Sequence, residues 1–274
     1  MKISVLTTVY NRPEHLRLLL SALAAQTRPP DEVIVADDGS DAATVAALQR
    51  LLPACGLPAR LVRQEKNGYR LAAARNLALR AATGDYLLFL DCDIVPLPDA
   101  VAVHAANAAS GRLLCGHRAL LDEAATAALF AAVPAPAAAD WEQAWATADR
   151  RELEAAARRF ARHAALRRWH LARPHKPKLI GCHFSLPRAD AERVNGFDEN
   201  FVGWGYEDDD FARRLYKAGV APRSVIAAAR ALHLWHPSLA PQALPRHRDR
   251  PNRAYFRRWR VPAFCENGLK KPGA

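Results

Sequence analysis

Tyr86-Leu87-Leu88-Phe89-Leu90-Asp91-Cys92-Asp93 is the stretch from which the fold is read. Five apolar residues in a row, without the polar alternation of a half-exposed strand, fit a strand buried on both faces of a helix-covered parallel sheet. Two carboxylates directly beyond such a strand carry a desolvation cost unless a cation or a ligand uses them. Set at alternate positions, Asp91 and Asp93 offer hard oxygen donors of the kind that hold Mg2+ or Mn2+ against a substrate diphosphate.

Upstream, short β-type runs alternate with helical patterns. Ile3 to Tyr10 reads as a strand, Pro13 to Ala25 as a helix with Leu16, Leu19, Leu20 and Leu23 on one face, and Glu32 to Ala36 as a second strand. Asp37-Asp38-Gly39-Ser40 is a turn, and Asp41 is placed to cap a helix reaching about Leu52. Leu61 to Gln64 reads as a strand and Ala72 to Ala82 as the helix that leads into Tyr86. This order predicts an α/β, Rossmann-like, mostly parallel sheet flanked by helices, with ligands in the crevice outside the strands' carboxyl ends. Thr8, Tyr10 and Asn11 follow the first strand, Asp37 and Asp38 the second, and Asp91 and Asp93 the buried one, so three strand ends should converge on one acidic, aromatic crevice.

Downstream, residues 124 to 178 become rich in Ala, Arg and Trp, with Leu153, Ala157, Phe160 and Ala164 at helical spacing, and read as an inserted helical segment. From Leu179 the chain is mixed again: a strand-like Leu179 to Leu186, a helix near Ala189 to Val194, a Gly-rich stretch, a helix from about Asp208 to Ala218, and a basic tail. Gly203-Trp204-Gly205-Tyr206-Glu207-Asp208-Asp209-Asp210 is a second acidic centre. Its glycines allow close backbone approach, its aromatic rings offer flat faces to a sugar, and its acids repel one another more than a helix start requires. His233-Leu234-Trp235-His236 supplies two imidazoles three residues apart, candidates to complete a metal site built on carboxylates.

With 274 residues the chain can form one large domain, and 50% hydrophobic with 24% charged residues excludes a disordered, collagen-like or disulfide-scaffold protein. The five cysteines are scattered with no C-x-x-C pair, which predicts reduced thiols in a cytoplasmic setting and no structural zinc. The apolar stretch Ala124 to Ala139 is mostly alanine, is broken by Pro134 and Pro136, and is not expected to span a membrane; the amino-terminal run meets Asn11-Arg12-Pro13 too early for a signal peptide. The net charge of +11 is concentrated: Arg150 to Lys178 holds ten Lys/Arg against Glu152 and Glu154, and Arg246 to Arg260 holds seven Arg against Asp249, leaving the remainder acidic. These segments predict an anionic partner, and an anionic membrane leaflet reached from the cytoplasm is the expectation, with Phe160, Trp169 and Trp259 as shallow apolar anchors.

Thr7-Thr8-Val9-Tyr10-Asn11, Asp37-Asp38-Gly39-Ser40, Arg75-Asn76 and Asp91-Cys92-Asp93 resemble the nucleotide-binding half of family 2 glycosyltransferases with the GT-A fold. Asn195-Gly196-Phe197, Gly203 to Asp210 and His233-x-x-His236 are similar to the carboxyl-terminal half of the β-1,4-galactosyltransferases and of bacterial chondroitin-type polymerases. Tyr206 stands where those galactosyltransferases usually have Gly, and His233 where they can have Met. The resemblance covers about 1 to 100 and 179 to 260, which divides the chain into a nucleotide-sugar half (1–100), a helical basic insertion (101–178), an acceptor and catalytic half (179–260) and a tail (261–274). It implies a UDP-sugar donor, a glycan or lipid-linked glycan acceptor and an Mn2+ or Mg2+ cofactor, in an inverting transfer that builds a surface polysaccharide or oligosaccharide. By position, Thr8 would lie in the nucleotide site, Tyr10 would stack on uracil, Asp38 would bond the base, Arg75 would contact the nucleotide and Asp91 would sit near the ribose. Asp93, His236 and His233 would hold the metal, Trp204 would pack on sugars, Glu207 and Asp209 would bind acceptor, and Asp208 would be the catalytic base. A nucleotidyltransferase would share the D-x-D logic but has no need of Trp204 to Asp208. A basic nucleic-acid-binding protein stacking bases on Trp169, Tyr255, Phe256 and Trp259 would leave both acidic centres unexplained.

Overall fold

The computed structural model describes residues 1–132, 135–237, 251–258 and 260–271. Pro134, Arg246, Arg248, Asp249, Arg250 and Trp259, invoked above, lie outside the described residues. In chain order the strands are β1 Ile3–Val9, β2 Glu32–Asp37, β3 Ala59–Arg63, β4 Tyr86–Leu90, β5 Ile94–Pro96, β6 Arg112–Cys115, β7 Ala119–Leu120, β8 His183–Pro187, β9 Ala221–Ser224 and β10 Ala231–His233. The helices are α1 Pro13–Ala24, α2 Ala42–Ala54, α3 Leu71–Ala81, α4 Ala100–Asn107, α5 Glu123–Ala131, α6 Ala138–Thr147, α7 Arg151–Arg168, α8 Arg188–Arg193, α9 Glu207–Lys217 and α10 Pro251–Phe256.

Seven strands form the main sheet in the order β3-β2-β1-β4-β8-β6-β9, and β5-β10-β7 form a small second sheet. Every neighbour pair of the main sheet is parallel except those made by β8, which runs antiparallel to β4 and β6. The expected mostly parallel sheet flanked by helices is present. Its central strands are apolar on both faces because both faces are covered: Leu87 and Phe89 of β4 join the core that holds α3 and part of α7, while Tyr86, Leu88 and Leu90 join the core under α1 and α2. Asp41 caps α2 as expected, its carboxylate accepting from the Thr44 N–H at 2.7 Å. Gly39 has φ +78°, and a Cβ there would come within 2.5 Å of the Lys66 backbone nitrogen, so the turn after β2 admits only glycine.

Three features differ from the sequence reading. The segment 101–178 is not helical throughout, because β6 lies inside the main sheet and β7 in the small one; both are short runs whose burial comes from distant partners, which local periodicity does not show. The strand expected from Leu179 begins only at His183, since Pro177 to Gly181 is a loop in which Leu179 is fully buried by tertiary packing. Phe160 is 7% exposed and packs in the core beside Leu153, so it is not a membrane anchor. Among the described residues no helix is long and apolar enough to cross a membrane, and all five cysteines are free thiols.

Candidate active site

The crevice lies at the carboxyl ends of β1, β2 and β4, closed on its far side by the start of α9. Antiparallel β8 starts where β4 stops: the Asp91 N–H donates to the Cys182 carbonyl at 3.1 Å, which sets Gly181 beside the D-x-D pair. Arg75 reaches this point from α3. It is 3% exposed, and its guanidinium donates to Asp91 at 3.1 Å, to Glu207 at 3.3 Å and to the Gly181 carbonyl at 2.8 Å. The residue expected to contact the nucleotide is therefore a buried bridge between the two acidic centres. Burial alone would lower its pKa; the charges of Asp91, Glu207 and Asp208 more than offset this and raise it. Its neighbour Asn76 joins the same halves one step deeper, exchanging two 2.8 Å hydrogen bonds with the Phe197 backbone.

The acidic helix start is delivered by a loop with φ +83° at Gly203, +98° at Gly205 and +73° at Tyr206. A side chain at φ +73° is unusual for a residue as bulky as Tyr. Here the Tyr206 ring stacks on Phe256 of α10 with centroids 5.1 Å apart, and the Asn252 amide donates to the Gly205 carbonyl at 3.0 Å, so α10 buttresses the loop. Gly203 donates to the Tyr69 carbonyl at 2.8 Å, and the Trp204 ring is 48% exposed beside it.

Beyond this loop the first turn of α9 carries four carboxylates with different surroundings. Asp208 is half-buried and accepts from the Gly181 N–H at 3.1 Å. Glu207 is pushed up to about 7 by burial and by the Asp208 charge, against the pull of Arg75. Asp209 is pushed up to about 6 by the same two causes, with Lys178 opposing from 3.5 Å. Glu207 Oε2 and Asp209 Oδ1 are buried acceptors without a hydrogen-bond donor among the described residues, a cost that native structures tolerate where a ligand supplies one. Asp210 belongs to the scaffold: with Arg213 and the fully buried Arg214 it ties α9 to the Val194 and Gly196 carbonyls.

The histidines reach Asp93 through the small sheet. β5 follows the D-x-D pair directly, β10 runs antiparallel to it with His233 opposite Ile94, and the Leu234 N–H donates to the Asp93 carbonyl at 2.9 Å. Asp93 Oδ2 lies 3.2 Å from His236 Nε2 and 3.9 Å from His233 Nε2, and ligand atoms of all three fall within 4.8 Å of one another. Burial opposes the Asp93 charge, but the His236 contact, both imidazoles and Arg12 outweigh it and hold its carboxyl below the usual range. Arg12, which the sequence reading missed, donates to Asp93 at 3.0 Å and contacts His236 Nδ1 at 3.0 Å. Its place one residue after Tyr10-Asn11 at a strand's carboxyl end was the available signal. Lys178 was also missed, because its partner Asp209 is distant in sequence.

On the nucleotide side, Thr8 is half-buried one residue before the end of β1, and Tyr10 is 43% exposed with the Lys66 ammonium 3.4 Å from its ring centre. Asp38 is buried and accepts from Gln64 at 2.6 Å and Lys66 at 3.4 Å. Of the aromatic platforms of a nucleic-acid reading, Trp169 is exposed and Trp259 lies outside the described residues, while Phe256 and Tyr255 are engaged within the fold. Phe256 is buried against Tyr206, and the Tyr255 hydroxyl is committed to Asp198 at 2.9 Å.

Residues 4–123 match the family described as Glycosyl transferase family 2, and residues 161–237 match the N-terminal domain of galactosyltransferase family. Residues 4–123 form a family 2 glycosyltransferase domain. It is 35% identical over 235 residues to the validoxylamine A glucosyltransferase of Streptomyces hygroscopicus subsp. limoneus, covering 80% of this chain and 48% of that protein. To the chondroitin synthase of Escherichia coli it is 31% identical over 237 residues, covering 82% of this chain and 34% of that one. The chain thus spans about half, or less, of the length of these relatives. The same GT-A fold occurs in a mannosyltransferase from Pyrobaculum calidifontis solved with GDP-Man and Mn2+, with TM-score 0.58, 20% identity, and 86% of this chain against 58% of that one. It occurs also in S. aureus TarS solved with UDP-GlcNAc, with TM-score 0.58, 18% identity and coverages of 89% and 62%. In this chain the join between the two matched regions is the Arg75 bridge and the Asn76 clamp.

Proposed function

We propose that this chain transfers a hexose or N-acetylhexosamine from a UDP-sugar to a hydroxyl of a glycan acceptor, inverting the anomeric centre, in the synthesis of a surface polysaccharide or oligosaccharide. One observation carries the reading: across Arg75, the D-x-D carboxylates that suit a diphosphate meet a helix start with two undonated carboxylate oxygens that suit sugar hydroxyls. The solved structures of like fold, holding GDP-Man or UDP-GlcNAc, support a nucleotide-sugar donor.

Asp93, His233 and His236 fit a divalent cation. The set is one carboxylate and two imidazoles whose ligand atoms lie within 4.8 Å of one another. Mixed nitrogen and oxygen donors suit Mn2+ better than Mg2+, which prefers oxygen alone. A bound ion supplies Lewis-acid neutralisation of the leaving diphosphate. Tyr10 and Asp38, joined by Lys66, hold the base, with Thr8 beside them and Asp91 towards the ribose. Trp204 offers its exposed face to the sugar. Glu207, near neutrality in its titration, and Asp209 bind acceptor hydroxyls. Asp208, fixed by the Gly181 N–H, takes the proton of the attacking hydroxyl as general base, and attack opposite the leaving UDP inverts the centre. Arg75 positions these carboxylates without touching substrate. The basic outer face and end of α7, where Trp169 is 77% and Leu171 72% exposed, support contact of the enzyme with an anionic leaflet carrying a lipid-linked acceptor.

The test is product analysis with a panel of UDP-sugars, Mn2+ and oligosaccharide acceptors. Free UDP together with an elongated product of inverted configuration is expected. Pyrophosphate would assign nucleotidyl transfer instead, and no consumption of any UDP-sugar would overturn the donor.

A further inference from the structure

Behind the acceptor side of the crevice lies a cavity of about 100 Å³, several times the roughly 15 Å³ that one water needs. Its inner wall is the face of α7 that presents Ala156, Phe160 and His163 at spacings of four and three, and its opposite wall is the loop before β8. His117, Arg159, His163, Lys176 and Lys178 line it together, and among the described residues no carboxylate does. Arg159 shares its charge with the exposed Glu152 and Lys178 with Asp209, whereas Lys176 has no ion pair among the described residues. The crowding of cations is felt in their titration. Burial first, then the neighbouring Lys178, Arg173 and Arg159, depress Lys176 against the pull of Asp209, and burial followed by Lys176 and Arg162 depresses His163.

A cavity lined by five cationic or protonatable side chains, with no carboxylate among its described lining residues, suits an anion. The cavity is also tied to the proposed chemistry. Lys178 touches Asp209, and three residues further along the same loop Gly181 holds Asp208, so cavity wall and base are separated by at most about 10 Å of chain. We infer that this cavity binds an anionic group, a carboxylate or a phosphate, carried by the acceptor on a sugar near the one that is glycosylated. The inference rests on the glycosyltransferase reading for the word acceptor and on the cavity alone for the anion. It also gives the helical insertion a function, since α7 supplies Arg159 and His163.

The experiment titrates the protein calorimetrically with glucuronate, glucose 6-phosphate, glucose and inorganic phosphate, each with and without saturating UDP and Mn2+. Binding of glucuronate or of glucose 6-phosphate, but not of glucose, is expected, and which of the two binds distinguishes carboxylate from phosphate. Lys176→Gln and Arg159→Gln should each weaken that binding about tenfold, the loss of one charge-assisted hydrogen bond, with UDP affinity and melting temperature unchanged. Binding of none of the sugar anions, equal binding of glucose, inorganic phosphate binding as tightly as glucose 6-phosphate, or affinity surviving in both variants would overturn it. Failure of UDP to bind while the sugar anion still does would instead overturn the donor reading and leave the cavity assigned.

Discussion

Replacing Arg75 by Met tests whether the two acidic centres depend on one buried cation. The side chain keeps much of its length, but the guanidinium contacts to Asp91 at 3.1 Å, Glu207 at 3.3 Å and the Gly181 carbonyl at 2.8 Å are lost. Removing one partner of a buried ion pair costs about 3–5 kcal/mol, which for a chain of this size is a fall of roughly 10 °C in Tm. The cost should depend on pH in a definite direction. Burial and the Asp208 charge already raise Glu207 to about 7, and burial raises Asp91; Arg75 opposes both shifts. A carboxyl whose folded pKa lies above its unfolded value contributes stability that is complete below the unfolded pKa and is lost as pH rises through the folded one. Without Arg75 both folded values climb further, so the loss becomes deeper and reaches to higher pH. Thermal melts of wild type and variant across the range from about pH 5 to about pH 8 should therefore show a small gap in acid, set by the orphaned Gly181 carbonyl, and the largest gap at the alkaline end. A gap that is flat with pH, or widest in acid, would refute the bridge.

Asp208→Asn should leave UDP binding intact while turnover falls by about 10²-fold or more, the range for loss of a general base, and a larger loss in Asp209→Asn than in Asp208→Asn would show that the base is misassigned. Asp93→Ala should abolish Mn2+ binding measured by electron paramagnetic resonance and His236→Ala should weaken it; an unchanged titration in the second variant would make that histidine a partner of Arg12 and Asp93 only. Co-sedimentation should show binding to anionic but not neutral vesicles at low salt, lost at high salt and reduced by Trp169→Ala; equal binding to both lipids would remove the membrane from the account.

The nucleotide half was legible from sequence because its signals are local. The apolar run Tyr86 to Leu90, the capping Asp41 and the apolar stripe of α1 each follow from side-chain periodicity and backbone preference over a few residues. In a parallel sheet those elements also place their own carboxyl ends together, so Tyr10, Asp38 and Asp91 could be assigned to one crevice before any contact was known. The acidic start of α9 was legible too, since four acids after a Gly-rich loop announce a helix start and a polar site.

Tertiary structure alone decided how these pieces meet. That β8 runs antiparallel to β4, setting Gly181 beside Asp91 and Asp208, depends on a pairing between residues about a hundred positions apart. No local pattern encodes strand direction. Strands β6 and β7 were hidden within a segment read as helical because their burial comes from β8, β9 and β10 rather than from their own alternation. The identity of Arg75 as a buried bridge, and of Arg12 and Lys178 as cations against Asp93 and Asp209, was equally invisible. An arginine in sequence is a charge without a partner; desolvation and the carboxylates packed around it determine whether it binds substrate or holds the site together.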